Sequence, residues 1–314
     1  MKNKKILITG ATGFIGANLA EYFLEKGADV SIFTRGTSDK WRIRSILRNV
    51  TEYSVDLKEA VKLEKIIKKI KPQIVIHAAV YGGHSFQSNA SKIIEANFTG
   101  TVNLINVLKG AGIELFINTG SSSEYGVKSE PMKESDLLEP FSEYGVTKAA
   151  SELYCHAVAK KENMPVVTLR LFSPYGYYEE KNRLVSSVIL SCLKFKNPKL
   201  SSPDSVRDFI FVEDVINAYK KVIDNKDKVK GEVFNIGSGK QYAIEDVVKN
   251  IVKLTGNKVK PEWGRIANSR QEPKCWQADI SKAGRLLNWK PEFSLRQGLE
   301  KDISWFKRNT ALYK

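Results

Sequence analysis

The chain has 314 residues, of which 42% are hydrophobic and 10% aromatic, and its formal net charge is +15. This size and composition suit one large or two closely joined globular domains, and no apolar stretch reaches the roughly 18 to 20 residues that a membrane helix needs. The start of the chain, MKNKKILITG, contains too short an apolar run for a signal peptide, so we expect a cytoplasmic location.

The distribution of lysines argues against nucleic-acid binding, and the positions of the cysteines and histidines argue against a metal site. The lysines are spread through amphipathic stretches such as EAVKLEKIIKKIK, where they form the solvated side of helices, and no nucleic-acid recognition motif is present. The three cysteines and three histidines lack the spacing of metal ligands. We therefore expect no metal, no nucleic acid and no membrane as partners, although the positive charge favours a small anion such as a nucleotide diphosphate.

Short β-branched runs alternate with longer helical patterns up to residue 172. KKILIT precedes GANLAEYFLEKG, DVSIFT precedes a helix at 57–70, QIVIHAA precedes SKIIEANFTGTVNLINVLKGAG, ELFINTG precedes SEYGVTKAASELYCHAVAKKEN, and PVVTLRLF ends the series. Strands that are apolar nearly throughout and alternate with helices form βαβ units. The pattern predicts an α/β fold with a doubly wound parallel sheet.

The alternation becomes irregular after residue 173, where aromatic and prolyl loops separate shorter helices. This change predicts a smaller, interleaved C-terminal domain. We assign residues 1–172 to a dinucleotide-binding domain, to which part of 207–237 returns, and residues 173–314 to a substrate domain.

The first strand runs directly into GATGFIG, in which Gly10, Gly13 and Gly16 open the first helix. Glycines here allow a tight turn and a close approach of the backbone to a pyrophosphate, and the helix N-terminus supplies N–H donors to it. A plain glycine turn is the alternative. The position at the first βα crossing favours a dinucleotide site.

The second strand ends in Thr34 and Arg35, without the acidic residue that would bind the ribose 2′-hydroxyl of NAD. An arginine can instead pair with the 2′-phosphate of NADP, so NADP(H) is favoured and NAD(H) stays open. A solvated surface arginine is the alternative. Asp56 and Leu57 end the third strand where the adenine edge would lie, although an aspartate that caps a helix explains the pattern equally well.

Tyr144 and Lys148 of EYGVTK lie four residues apart, on one face of a helix. The Lys148 ammonium would favour the tyrosinate and so lower the tyrosine pKa, which lets Tyr144 exchange a proton with an alcohol oxygen near neutral pH. The same spacing occurs at Tyr22 with Lys26 and at Tyr177 with Lys181. Only the Tyr144 pair follows the serine row of NTGSSSEYG, where Ser121 can donate to the same substrate oxygen.

With these motifs in this order, the chain resembles the extended short-chain dehydrogenases/reductases, and among them the NAD(P)-dependent epimerase/dehydratase family acting on nucleotide sugars. The resemblance covers nearly the whole chain and includes VIHAA, ANFTGTVNLI, LRLFSPYG, VRDFIFVEDV, FNIGSG and LLNWKP. It implies a Rossmann fold, a nucleoside diphosphate sugar as the substrate of the C-terminal domain, and a homodimer formed through the helices of Asn97 and Tyr144.

The resemblance also implies roles for individual residues, with Ser121, Tyr144 and Lys148 as the catalytic set and Asn97 as their support. The implied cofactor-binding residues are Gly10, Thr12, Gly13, Phe14, Ile15, Gly16, Arg35, Asp56, Leu57, Ala78, Ala79, Asn97, Tyr144 and Lys148. The implied substrate-binding residues are Ser122, Ser123, Ser173, Arg183, Leu184, Arg207 and Arg270. Arg207 and Arg270 would clamp the diphosphate, although the spacing around Arg270 is one residue short.

Three activities follow from the resemblance. The 4,6-dehydratases carry acidic residues after the catalytic hydroxyl, where this chain has Ser122 and Ser123 and places Glu124 one position later. The 4-epimerases, such as UDP-glucose 4-epimerase, keep NAD bound and usually have an acid at the end of the second strand. We therefore expect NADPH-dependent C4 reduction of a nucleoside diphosphate 4-keto-6-deoxy sugar for a surface polysaccharide, with a 4-epimerase and a non-catalytic dinucleotide-binding protein as alternatives.

Overall fold

Strands and helices alternate from residue 5 to residue 171 in the computed structural model, which describes residues 1–83, 86–266 and 273–313. The strands are β1 (Lys5–Thr9), β2 (Asp29–Thr34), β3 (Thr51–Ser54), β4 (Ile74–His77), β5 (Leu115–Ser121), β6 (Val166–Leu171), β7 (Pro174–Tyr175), β8 (Val206–Arg207), β9 (Ile210–Phe211), β10 (Val233–Ile236) and β11 (Tyr242–Ala243). The α-helices are α1 (Phe14–Glu25), α2 (Ala60–Ile70), α3 (Ala90–Ile94), α4 (Gly100–Leu108), α5 (Glu143–Glu162), α6 (Leu184–Leu193), α7 (Val212–Asp224), α8 (Ile244–Thr255), α9 (Ser281–Leu287) and α10 (Leu295–Asn309). Single 3₁₀ turns lie at Trp41–Ile43, Ser122–Glu124 and Thr310–Tyr313.

Seven of the described strands form one sheet in the order β10-β6-β5-β4-β1-β2-β3. The pairs from β3 through β2, β1, β4 and β5 to β6 are parallel. Parallel neighbours require crossover connections, which the intervening helices supply. The doubly wound α/β fold predicted from the sequence is therefore confirmed.

The central strands are buried because helices cover the sheet. β4 and β6 are buried at every position, which explains why their sequences are largely apolar, with His77, Thr168 and Arg170 as buried exceptions. Leu7, Val75 and Phe116 from adjacent strands pack in one cluster with Leu63 of α2 and Leu104 of α4. Each such side chain contributes about 1.5 to 3 kcal/mol through burial.

Parallel strands bring their carboxyl ends to one edge of the sheet. β1, β2, β4 and β5 end there at Thr9, Thr34, His77 and Ser121. The register pairs Thr9 with His77 and His77 with Asn118, so the ends of β1 and β4 are level and β5 extends three residues beyond them to Ser121. Residues that follow these strands form the candidate site.

The structure departs from two predicted helices, in where one begins and in the continuity of the other. The helix expected at 57–70 begins at Ala60, and the third strand ends at Ser54, so Asp56 and Leu57 lie in the connection between the two. The helix expected to run through ANFTGTVNLI contains a π-helical turn at Glu95–Thr99 between α3 and α4. Apolar periodicity does not reveal a single π turn, and such turns are frequent at functional sites.

The chain divides into two compact units. The first comprises Met1–Gly126, Asp136–Leu171 and Tyr219–Phe234, and the second comprises the described residues of Val127–Ser135, Phe172–Ala218 and Asn235–Lys314. Within the second unit, the short pairs β7–β9 and β8–β11 lie beside helices α6, α8 and α10, which pack on one another. No helix in the described parts of the chain is long and apolar enough to cross a membrane.

Asp208 connects two loops of the second unit, those at Ser238 and at Ala278, through hydrogen bonds. Its buried carboxylate accepts the N–H groups of Ser238 (2.6 Å), Gly239 (3.1 Å) and Ala278 (3.0 Å). A Cβ at Gly237 would stand 2.7 Å from the same carboxylate, so only glycine fits there. The motifs VRDFIFVEDV and FNIGSG are thus parts of one hydrogen-bonded junction.

Two other buried carboxyl groups of the second unit contribute to the pH dependence of stability. Asp302 is fully buried, and neither of its oxygens has a hydrogen-bond partner among the described residues. Burial, followed by the charge of Glu179, raises the pKa of Asp302 well above its usual value, and burial raises the pKa of Glu179 to about 7. The folded state therefore binds more protons than the unfolded state, so the free energy of unfolding falls as pH rises above about 4.

Asp302→Asn is accordingly expected to raise the free energy of unfolding by about 1 to 3 kcal/mol at pH 8, and by less at pH 5. Urea unfolding at the two pH values measures the difference, with the exposed Asp224→Asn as the matched control. An equal effect at both pH values, or a loss of stability at pH 8, would contradict this account of Asp302.

Candidate active site

The glycine loop after β1 has the geometry of a phosphate cradle. Gly10 has a φ of +70°, and a Cβ there would stand 2.5 Å from the backbone of Ala78 and Ala79. A Cβ at Gly16 would stand 2.2 Å from the Gly10 carbonyl oxygen. The N-cap of α1 is Gly13, and no described side chain caps the helix, so its first N–H groups are available to an anion. These features fit a dinucleotide pyrophosphate, which Thr12, Phe14 and Ile15 would help to bind.

His77 organises the strand ends beneath this loop. Thr9 Oγ1 lies 2.7 Å from His77 Nδ1, and His77 Nε2 lies 2.9 Å from Thr101 Oγ1. Thr101 donates its one hydroxyl proton to the Asn97 carbonyl oxygen, so it must accept from Nε2, and Thr9 must donate to Nδ1. Burial lowers the pKa of His77 to about 3, which keeps the ring neutral. Its role is structural.

Asn97 lies in the π turn and connects three segments. Its side-chain oxygen accepts from the Tyr81 N–H (2.8 Å), and its amide nitrogen donates to the Tyr81 carbonyl (2.8 Å) and to Thr147 Oγ1 (3.0 Å). Ser151 Oγ donates to the Asn97 carbonyl (2.9 Å). Asn97 thus fixes the loop after β4 against α5, the helix that carries Tyr144 and Lys148.

Ser121 ends β5 and begins the 3₁₀ turn Ser122–Glu124 as its N-cap. Its hydroxyl oxygen accepts the Ser123 N–H (3.1 Å), and the Glu124 carboxylate accepts the Ser121 N–H (2.6 Å), which together form a capping box. The Ser121 hydroxyl proton is not used by this box and can be donated to a substrate oxygen. The serine row is therefore a structured turn.

Glu124 points away from the surface of this turn. It is fully buried, and burial followed by the charge of Glu152 raises its pKa well above the usual range. Arg170 donates to Glu152 through both Nε, at 2.8 Å, and Nη2. The same Nε lies 3.6 Å from the Glu124 carboxylate. The Arg170 guanidinium also covers the Tyr125 ring at 4.5 Å. Glu124 thus belongs to a buried network with Glu152 and Arg170 and is not exposed on this turn.

The start of α5 is held against the serine turn. Ser142 caps the helix by accepting the Gly145 N–H (3.1 Å), and a Cβ at Gly145 would stand 2.5 Å from the Ser123 carbonyl oxygen. Lys148 is buried, and its ammonium donates to the Thr119 carbonyl at the end of β5. Burial lowers the pKa of Lys148, while the charge of Glu124 opposes that shift. The fold therefore fixes both ends of the predicted catalytic set, Ser121 and Lys148, to β5.

The other tyrosine–lysine pairs have different surroundings. Tyr177 donates its hydroxyl to Glu213 (2.8 Å) and stacks on Trp305, and burial raises its pKa. Burial also raises the pKa of Tyr22, whose ring lies under the Lys26 ammonium at 5.4 Å. Neither tyrosine is stabilised as the anion, so spacing alone does not identify a catalytic pair.

The predicted adenosine-binding residues have structural contacts of their own. Asp56 accepts the Lys58 N–H (3.1 Å) in the turn before α2, and the Leu57 carbonyl accepts from Asn103 (3.0 Å). Arg35 is exposed, and its N–H donates to Ser38 Oγ (2.9 Å). Thr34 donates its hydroxyl to Glu52 of β3, a carboxylate that sequence reasoning missed.

The predicted substrate residues of the second unit lie in three places. Arg207 of β8 donates to the Val206 carbonyl (2.6 Å), and its guanidinium faces the Trp276 ring at 5.3 Å. Arg183, the N-cap of α6 before Leu184, lies 3.8 Å from the Glu179 carboxylate. The Ser173 carbonyl accepts the Ile210 N–H (3.2 Å). Arg270 lies outside the described residues.

Comparison with known proteins gives a family match over residues 6–237 and full-length relatives that cover 98% of this chain. A sequence model of the NAD dependent epimerase/dehydratase family matches residues 6–237. UDP-glucuronate 4-epimerase of Thermodesulfobacterium geofontis is 28% identical over 321 residues, which cover 98% of each chain. The dTDP-glucose 4,6-dehydratase of Haemophilus influenzae is 27% identical over 336 residues, again 98% of each. UDP-glucuronic acid 4-epimerase from Bacillus cereus, solved with UDP-glucuronic acid and NAD, superposes with a TM-score of 0.86 at 30% identity, covering 98% of this chain and 100% of that one.

Proposed function

This chain belongs to the NAD-dependent epimerase/dehydratase family, and from that membership we propose that it is a nucleotide-sugar 4-epimerase that keeps NAD bound. The observation that carries the proposal is its full-length similarity to UDP-glucuronate 4-epimerases, one of them solved with NAD. This similarity favours the 4-epimerase over the expected 4-keto-6-deoxy sugar reductase. It also weighs against the NADP preference inferred from Arg35.

The buried position of Glu124 supports a 4-epimerase rather than a 4,6-dehydratase. Elimination across C5 and C6 of the sugar needs an acid and a base near those atoms. Ser122 and Ser123 supply neither, and the Glu124 carboxylate is bound to the Ser121 N–H and lies beside Arg170. Inversion at C4 needs proton exchange at one oxygen only, and the Ser121–Tyr144–Lys148 set suffices for that.

The chain's own residues would move a proton at the C4 oxygen of the sugar. The Lys148 ammonium favours Tyr144 as the tyrosinate, which takes the proton from the C4 hydroxyl. Tyr144 returns this proton after the sugar has rotated to present its opposite face. Ser121 donates a hydrogen bond to the same oxygen and stabilises charge that develops on it. NAD, when bound, would supply reversible hydride acceptance at C4.

We propose that the first unit binds the dinucleotide and that the second binds the nucleoside diphosphate sugar. Arg207 suits a diphosphate because its planar fork can make two parallel hydrogen bonds. The relatives' substrates make UDP-glucuronic acid and UDP-glucose the first compounds to test.

The proposal is tested by incubating the enzyme with each nucleotide sugar and NAD, without a reductant, and resolving the product by proton NMR. A 4-epimerase gives the C4 epimer with no net change in cofactor. If no compound is epimerised while NADPH is oxidised by a nucleoside diphosphate 4-keto-6-deoxy sugar, the proposal fails.

That reductase is the second candidate, and one observation favours it. The second strand ends in Thr34 and an exposed Arg35, which can reach a 2′-phosphate. A reductase consumes one NADPH per sugar, whereas an epimerase regenerates its cofactor in each cycle. Absorbance at the NADPH band therefore separates the two.

We also propose that the chain forms a homodimer through α5 and the α3–α4 segment. Val146 and Leu153 lie seven residues apart on α5 and are 50% and 59% exposed, and Ile94 is 49% exposed. Apolar side chains repeated on one helix face are typical of an interface. Leu153→Glu is expected to convert a dimer to a monomer in sedimentation velocity, whereas Val61→Glu, which changes an exposed valine of α2, is not. A monomeric wild-type protein would contradict the proposal.

A further inference from the structure

An acidic side chain from the neighbouring strand β3 lies at the carboxyl end of β2, which has no acidic residue of its own there. In dinucleotide-binding folds an acid at this strand end binds the adenosine ribose, and this chain has Thr34 and Arg35 there. The parallel register pairs Thr34 with Ser54, which places Glu52 of β3 on the same face of the sheet as Thr34. Thr34 Oγ1 donates to Glu52 Oε1 at 2.5 Å. The missing carboxylate is thus supplied by the neighbouring strand.

The segment after β2 places this carboxylate near the glycine loop. The 3₁₀ turn Trp41–Ile43 packs against α1, and Arg42 donates to the Thr12 carbonyl of the loop at 3.3 Å. Lys40, which precedes this turn, lies with its ammonium 2.5 Å from Glu52. One short segment therefore contacts both the glycine loop and Glu52.

Thr34 and Lys40 are both engaged by Glu52, whereas Arg35 and the Arg42 guanidinium at the Thr12 carbonyl carry the positive charge of this segment. The Thr34 hydroxyl proton is already donated to Glu52, and the Lys40 charge is neutralised by the same carboxylate. Hydrogen bonds from Lys40 and Thr34 lower the pKa of Glu52, so it is ionised at neutral pH. Arg35 is exposed, where solvent and salt screen its charge.

We infer that Glu52 selects NAD over NADP, by accepting a hydrogen bond from the ribose 2′-hydroxyl and by repelling a 2′-phosphate. The inference rests on the proposed function, since it assumes that a dinucleotide binds at the glycine loop. It reverses the reading of Arg35 as the residue that sets cofactor choice. Its physical basis is that an ionised carboxylate near a phosphate is repulsive, whereas near a hydroxyl it is a strong acceptor.

The test is a calorimetric titration of nucleotide-free protein with NAD and with NADP, from which the ratio of the two Kd values is taken. Glu52→Gln keeps the size of the side chain, removes its charge and releases Lys40. It is expected to shift the ratio toward NADP by about tenfold or more. Glu52→Asp retains the charge, so its ratio of Kd values is expected to favour NAD more than the ratio of Glu52→Gln does.

Glu64→Gln is the matched control, since Glu64 forms a comparable ion pair with Lys68 on the exposed face of α2. Its ratio is expected to equal that of the wild type. An unchanged ratio in Glu52→Gln would overturn the inference. A wild type that prefers NADP would contradict both the cofactor of the proposed function and the selection of NAD by Glu52, whereas a wild type that prefers NAD but epimerises no nucleotide sugar would contradict the proposed function alone.

Discussion

Tyr144→Phe is expected to lower kcat by roughly 100-fold or more, since it removes the hydroxyl that exchanges a proton with the sugar but keeps the ring. The affinity for the dinucleotide is expected to stay near the wild-type value, because the glycine loop and Lys148 are unchanged. Initial rates with the preferred nucleotide sugar and a calorimetric titration with the cofactor measure the two effects separately.

Tyr22→Phe and Tyr177→Phe are the controls, because both tyrosines precede a lysine by four residues. Each is expected to keep kcat within a few-fold of the wild type, whatever it does to stability. Full activity in Tyr144→Phe, or an equal loss in a control, would show that Tyr144 does not transfer the proton.

Arg170→Met is expected to lower the free energy of unfolding by about 3 to 5 kcal/mol, because it leaves buried carboxylates without their main counter-ion. Arg170 is 3% exposed and contacts both Glu152 and Glu124. Without the guanidinium, which opposes the effect of burial on Glu124, the pKa of Glu124 rises further in the folded state. The loss of stability is therefore expected to be smaller at pH 5 than at pH 8.

Urea unfolding at pH 5 and pH 8 measures this effect. Arg296→Met is the matched control, since Arg296 pairs with Glu300 at 2.9 Å on an exposed helix face, where a salt bridge contributes about 0 to 1 kcal/mol. The double variant Arg170→Met, Glu152→Gln removes one of the two carboxylates and is expected to recover part of the loss. A change under about 1 kcal/mol in Arg170→Met at both pH values would contradict the assigned role of the network.

The fold could be predicted because its signals are local. Strands buried on both faces, such as β4 and β6, are mostly apolar, and the amphipathic helices between them repeat their apolar residues roughly every three to four positions. The glycine loop could also be predicted from the sequence. Backbone contacts leave no room for a Cβ at Gly10 and Gly16, so both positions require glycine.

The charged part of the site could not be predicted, because its partners are distant in sequence. Arg170 and Glu152 are 18 residues apart, and so are Thr34 and Glu52. Neither pair has helical or strand spacing, and only the packing of α5 on β6 or the register of β2 with β3 brings them together. Arg35 could therefore be read from the sequence alone as an NADP residue, while the carboxylate beside Thr34 could not be seen.

The same reasoning explains Glu124. In the sequence it lies one position beyond that of a dehydratase acid, and in the structure the capping box turns its carboxylate inward to the Ser121 N–H. A one-residue difference in a turn changes which side chain faces the solvent and which faces the core.

The most direct test of the proposed 4-epimerase is the fate of a deuterium atom at C4 of the sugar. UDP-glucuronic acid and UDP-glucose labelled with deuterium at C4 are incubated with the enzyme and NAD, and the products are analysed by NMR and mass spectrometry. The account predicts the C4 epimer with deuterium retained at C4, because the hydride is returned to the carbon from which it came. Deuterium at C6 of a 4-keto-6-deoxy product, or turnover only when NADPH and a keto sugar are supplied, would contradict it.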